Sequence, residues 1–110
     1  MASRDWFCED VLSGKMKVQV IWEDDLVLAF HHPYPRFKAH AVVIPKKHIS
    51  SILDKEALDG TLLKSMVLAV QKTAGAIRVD KTGFYLRCNA AFSEVTSHMH
   101  WHVIGVEPKE

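Results

Sequence analysis

Cysteine is scarce in this 110-residue chain: there are two, Cys8 and Cys88, far apart and with no Cys-x-x-Cys pair. At most one disulfide is available, and the pattern fits a reducing compartment. Long apolar runs are also missing, so no segment is expected to span a bilayer. The opening residues meet charge at Arg4 and Asp5, which excludes the apolar stretch of a secretory leader and makes the cytoplasm the expected location. Nor is there an excess of one charge. Fourteen Lys and Arg face 13 Asp and Glu, for a net charge of +1, so no electrostatic footprint marks a nucleic-acid polymer as a partner. A single nucleotide remains compatible with that balance. Repeats, low-complexity tracts and linkers are absent as well. Residues 1–110 therefore read as a single domain, with a 48% hydrophobic content that suffices for a core.

What is present is ordered punctuation. Trp6 to Ser13 can form one or two helical turns, with Asp5 as N-cap and Gly14 as the stop. Val18–Trp22 and Leu26–Phe30 read as strands joined by the polar turn Glu23-Asp24-Asp25. Pro33 and Pro35 stiffen the loop that follows. Ala41–Ile44 is almost wholly apolar and β-branched, hence a buried central strand ended by Pro45-Lys46-Lys47. Asp59 caps the longest helix, whose stripe runs through Leu62, Met66, Ala69 or Val70, Thr73 and Ile77. Phe84–Cys88 is a further strand after the Lys81-Thr82-Gly83 turn. The pattern predicts an α+β domain, an antiparallel sheet with a helix on one face.

The chemistry is concentrated in Ser97-His98-Met99-His100-Trp101-His102-Val103-Ile104. As a strand, this stretch puts His98, His100 and His102 on one open face and Met99, Trp101 and Val103 on the other. At a rise of about 3.3 Å per residue, the outer histidines are roughly 13 Å apart, too far for all three to reach one ion. A single zinc wants each nitrogen about 2.0–2.1 Å away, so a metal would need ligands from elsewhere. The alternative divides the labour: His100 attacks phosphorus as a neutral imidazole while its neighbours orient it or stabilise the transferring group. A functionless solvated face is the bland alternative for a lone histidine, and the strict i, i+2, i+4 spacing argues against it.

The triad, together with Trp22–Phe30, His40–Ile49 and Asn89 in the same order, resembles the histidine-triad (HIT) family over nearly the whole chain. The resemblance implies a roughly five-stranded antiparallel sheet with one long and one short helix, commonly paired as a homodimer. It implies a nucleotide hydrolase or transferase acting at the α-phosphorus of phosphoramidates or dinucleoside polyphosphates, purine derivatives before others, without a cofactor. His100 then resembles the nucleophile, His98 and His102 its phosphate-contacting or orienting neighbours, and His40 the partner that holds His100 in its reactive tautomer. Asn89, Thr96 and Ser97 resemble phosphate-side hydrogen-bonding groups. Trp6, Phe7, Phe30, His31, His32 and Pro33 resemble the base pocket, although Trp6, Phe7 and Phe30 equally suit plain core.

Two departures stand out. His32 occupies the place of an aspartate that grips the ribose hydroxyls, and an imidazole cannot accept two hydroxyl hydrogens as a carboxylate does. Glu94 stands in the loop before the triad, where it would repel a phosphate unless turned away or protonated. Some bacterial relatives hold a structural zinc, and the matching positions here are Asp5, Cys8, His48 and His98. Aspartate for cysteine weakens such a soft site, and His48 is expected instead as a buried, satisfied histidine.

Overall fold

The computed structural model describes residues 7–88, 90 and 98–106, with the side chains of residues 7–9 outside that description. Five antiparallel strands form one sheet in the order β1-β2-β3-β5-β4: β1 Val20–Glu23, β2 Val27–His31, β3 His40–Pro45, β4 Phe84–Cys88 and β5 Trp101–Gly105. A 17-residue helix, α1 (Gly60–Ala76), joins β3 to β4. A short π-helical segment, Phe7–Leu12, precedes β1, and a single 3-10 turn, Lys55–Leu58, leads into α1. The α+β architecture with one long helix is the one the residue pattern predicts.

Local chemistry explains each boundary. The Asp24 carboxylate accepts the backbone N–H groups of Leu26 (2.8 Å) and Val27 (2.9 Å), closing the β1–β2 turn. Asp59 caps α1 by accepting from Thr61 and Leu62, two donors the helix cannot satisfy itself. The helix ends at Ile77, and Arg78 takes the left-handed conformation (φ 66°) that glycine more often supplies at this place.

The sheet has two dissimilar faces. On one, Val27, Ala29, Ala41, Val43, Trp101 and Val103 pack against Leu62, Met66, Ala69, Val70 and Ala74 of α1. Thr73 joins this buried stripe, as its helical spacing predicts. On the other, Leu28, Phe30, Val42 and Ile44 pack beneath Val11 of the N-terminal segment. Strand alternation places His40 on this second face with Val42, and His102 with Ile104. Gly105 ends β5 where there is no room for a side chain: an added Cβ would stand 2.8 Å from Val79 and 2.9 Å from Ala39.

Candidate active site

The three triad histidines do not form one regular strand. β5 starts at Trp101, so His102 lies on the ladder while His98 and His100 approach it in irregular backbone. The expected open row is also closed, since His98, His100 and His102 are all buried. The reason is a second use of the backbone. Met99 donates its N–H to the Ile49 carbonyl (2.6 Å), and the His98 ring donates through Nε2 to the Pro45 carbonyl at 2.8 Å. The chain ahead of β5 is thereby pinned to the end of β3.

A carbonyl can only accept, so hydrogen-bond partners assign the tautomers. His100 Nδ1 lies 2.7 Å from the His98 carbonyl and carries the proton, placing the ring's lone pair on Nε2. His40 Nδ1 accepts the Arg36 backbone N–H (3.4 Å), so its proton is on Nε2. That proton is donated across 2.9 Å to His102 Nδ1, which leaves His102 with an N–H at Nε2. His32 Nδ1 accepts the Tyr34 N–H at 3.0 Å and likewise bears its proton on Nε2. Among these rings His100 alone has its nucleophilic lone pair on Nε2, and His102, His40 and His32 are donors there. His40 was expected to set the tautomer of His100. It sets that of His102 instead, because β3 pairs with β5 at Val42↔His102 and the irregular approach carries His100 to the other side of His102. The His100 and His102 rings meet edge to face at 5.0 Å.

Electrostatics keep the cluster neutral. Burial lowers His100, with its hydrogen bond to His98 opposing the shift and the His98 charge adding to it. Burial, then the charges of His100, His40, His32 and Arg87, takes His102 to about 3. Burial, His32, Arg87 and Arg36 take His40 to about 4. His32 is lowered by burial, then by His100 and Arg36. The site thus offers a neutral imidazole with its lone pair on Nε2 beside neutral N–H donors, with two arginines supplying the positive potential. Neither arginine was singled out in the sequence. The Arg87↔His102 pairing of β4 with β5 is the signal that locates one of them.

His32, His40 and His102 have ligand atoms within 4.8 Å of one another, the set among the described residues that could hold a metal. The rings do not suit one. His32 stacks on His40 with centroids 4.4 Å apart and planes 26° apart, so their in-plane lone pairs run nearly parallel rather than converging on an ion about 2.0–2.1 Å away. The second nitrogen of a metal-bound imidazole normally donates, whereas Nδ1 of both rings accepts a backbone N–H.

The remaining sequence candidates are spread out. Phe30 is fully buried with Val11, Leu28, Val42 and Ile44, the core position its residue type also suits. His31 pairs with Ala41, so alternation turns it to the α1 side, exposed and away from His40 and His102. His48 is exposed rather than buried, because the chain bends away after Lys46-Lys47; its ring meets His98 edge to face at 5.5 Å. Trp6, Asn89, Glu94, Thr96, Ser97 and Asp5 lie outside the described residues, as do the side chains of Phe7 and Cys8.

Comparison with known proteins agrees with this geometry. The HIT domain family model matches residues 13–109. An uncharacterized HIT-like protein of Synechococcus elongatus is 31% identical over 104 residues, covering 88% of this chain and 90% of that protein. One from Methanocaldococcus jannaschii is 34% identical, covering 89% and 75%. Among solved structures, a HIT family hydrolase from Legionella pneumophila superposes with a TM-score of 0.83 at 30% identity, covering 96% of this chain and 95% of that one. A histidine triad protein from Clostridium difficile gives 0.80 at 27% identity, covering 94% and 91%.

Proposed function

This chain belongs to the HIT domain family, and from that premise we propose that it is a nucleotidyl hydrolase or transferase, hydrolysis being the main outcome, that works through a covalent intermediate on His100. The observation that carries this reading is the tautomer assignment: the His98 carbonyl holds the proton on Nδ1 and puts the lone pair of His100 on Nε2. Nε2 attacks the α-phosphorus of a nucleoside monophosphate derivative and forms an N–P bond. The departing atom leaves with its bonding pair and takes a proton from water. A second water then attacks phosphorus, the N–P electron pair returns to Nε2, and a proton is released. His102 Nε2–H, oriented by His40, donates to the phosphoryl oxygens as charge builds on them. Phosphoramidates and dinucleoside polyphosphates of purine nucleosides are the substrate class, with no cofactor. Asn89, Thr96 and Ser97 join the phosphate side, and Phe7, Phe30 and His32 the nucleoside side, in this reading; His31, turned to the α1 side of the sheet, drops out of it.

A homodimer completes the proposal. β4 is a sheet edge, and its Phe84, Tyr85 and Leu86 are all exposed, an apolar strand of the kind that a second copy covers. Cysteine usage supports a cytoplasmic setting, and among the described residues no helix is long and apolar enough to cross a membrane.

Incubation with adenosine phosphoramidates and dinucleoside polyphosphates tests the reaction. Turnover by the parent protein and its loss in His100→Ala are expected; turnover that survives in His100→Ala defeats the assignment. Nucleotide binding without turnover is the second reading, favoured by His32, whose Nδ1 is occupied by the Tyr34 N–H so that the ring presents only a donor. Calorimetric binding of adenosine monophosphate with no turnover of either class would select it. A structural zinc on Asp5, Cys8, His48 and His98 is a separate proposal, supported by the edge-to-face approach of the His48 and His98 rings.

A further inference from the structure

The loop from β2 to β3 is built so that its amides serve the histidine cluster. In His32-Pro33-Tyr34-Pro35-Arg36 the prolines have no N–H to give. Each of the other amides is committed: the His32 N–H to the His40 carbonyl at 2.9 Å, the Tyr34 N–H to His32 Nδ1 at 3.0 Å, and the Arg36 N–H to His40 Nδ1 at 3.4 Å. One short segment thereby orients two rings and lays them face to face, with centroids 4.4 Å apart and planes 26° apart. Phe37, from the same loop, meets the His40 ring edge-on at 5.4 Å. His32 also reaches past His40, its centroid lying 6.0 Å from that of His102 with 21° between the planes.

The stack matters because the edge contacts alone hold His40 loosely. Rotation of an imidazole about its Cβ–Cγ bond is soft, without narrow staggered wells. The Arg36 N–H bond that keeps the His40 proton on Nε2 is longer than the usual range of about 2.7–3.2 Å. A tilt of the ring stretches that bond further and lets the His40–His102 pair exchange roles. Each ring then carries its proton on Nδ1, and His102 is left with a lone pair at Nε2. A hydrogen bond at the edge opposes such a tilt weakly; a ring lying on the face blocks it. The stack also disfavours a second proton on His40, since after burial His32 is the largest cause of its lowered value of about 4. We propose, resting on the nucleotidyl-transfer reading, that His32 is a positioning residue. Its ring, laid on His40 by loop 33–36, holds His40 in the plane from which it donates to His102 and so keeps the His102 N–H at Nε2. This role belongs to the face of the His32 ring and is separate from any contact its edge makes with a nucleoside.

Nitrogen-15 NMR of the imidazole rings at neutral pH reads the tautomers in the protein alone, before any substrate is added. His32→Leu fills the same place without a planar face, and His32→Phe restores a face without a hydrogen-bonding edge. The parent is expected to show His40 and His102 protonated on Nε2, His32→Leu to show His102 divided between Nδ1 and Nε2, and His32→Phe to return it to Nε2. With an adenosine phosphoramidate, kcat is expected to fall about threefold in His32→Leu as the competent fraction drops, and to recover most of that in His32→Phe. KM reports on the edge and should rise alike in both variants. A His102 ring that stays protonated on Nε2 in His32→Leu, or a kcat that His32→Phe does not recover, overturns the assignment. So does a parent protein whose His102 is protonated on Nδ1. Should His32→Leu not fold, His32→Ala is read in the same way. A parent with the expected tautomers and no turnover fails the nucleotidyl reading, and the spectra of the variants still decide whether His32 positions His40.

Discussion

His40 Nε2 stands 2.9 Å from His102 Nδ1, and the Arg36 backbone N–H on the far side of the His40 ring fixes the direction of that bond. The proton therefore points from β3 to β5, and His102 is left with its N–H at Nε2. Replacing His40 by alanine removes the bond and frees the His102 ring to take the other tautomer. A hydrogen bond of this kind is worth about 0.5–1.5 kcal/mol, so a fall in kcat/KM on the order of tenfold is expected. Steady-state kinetics with an adenosine phosphoramidate would check it, and His40→Gln, whose amide N–H reaches the place of the imidazole Nε2–H, should recover part of the loss.

Acid should affect stability in a defined window. The folded-state values of His40 (about 4) and His102 (about 3) lie below the ordinary 6.5, with burial the leading cause. Between those values the unfolded chain binds more protons than the folded one, so stability rises with pH there. Full stability is present above about 6.5 and is lost progressively as pH falls toward 4 and 3. Thermal melts across pH 7 to 4 should show a falling Tm, and replacing His102 by glutamine should flatten the dependence.

The same shifts govern activity. His100 is lowered by burial, so it stays neutral and nucleophilic below the pH at which a free imidazole protonates. The acid limb of kcat/KM is expected below pH 6.5. A limb at or above 6.5 would mean that the ring is solvated in the free enzyme.

Gly105 carries a packing requirement. Its place against Val79 and Ala39 leaves no room for a methyl group, and its N–H is committed to the Ala39 carbonyl at 2.9 Å. Gly105→Ala should destabilise the fold by about 1–3 kcal/mol through forced displacement of neighbours, measurable by urea denaturation. Because Gly105 follows His102 by three residues, the same substitution should also reduce turnover.

Much of this was legible in the residues. Alternation and turn chemistry located the strands, with β4 placed at Phe84–Cys88 and the Asp59 cap one residue before α1. The triad's spacing singled out His100. Spacing alone could not show that the strand begins only at Trp101, because that depends on the Met99 and His98 bonds to Ile49 and Pro45, partners about 50 residues away. Nor could it show which ring His40 serves, since that is set by the β3–β5 register. Arg87 gave no local signal. An arginine on an edge strand is ordinary until pairing puts it beside His102.

Trapping the covalent intermediate is the most direct test of the chemistry. The protein is mixed with a radiolabelled or mass-tagged adenosine phosphoramidate, quenched in alkali to preserve the N–P bond, and digested. A nucleotidyl label on His100 is the expected result, absent from His100→Ala. Label on His98, His102 or His40, or turnover with no label on any histidine, would contradict it.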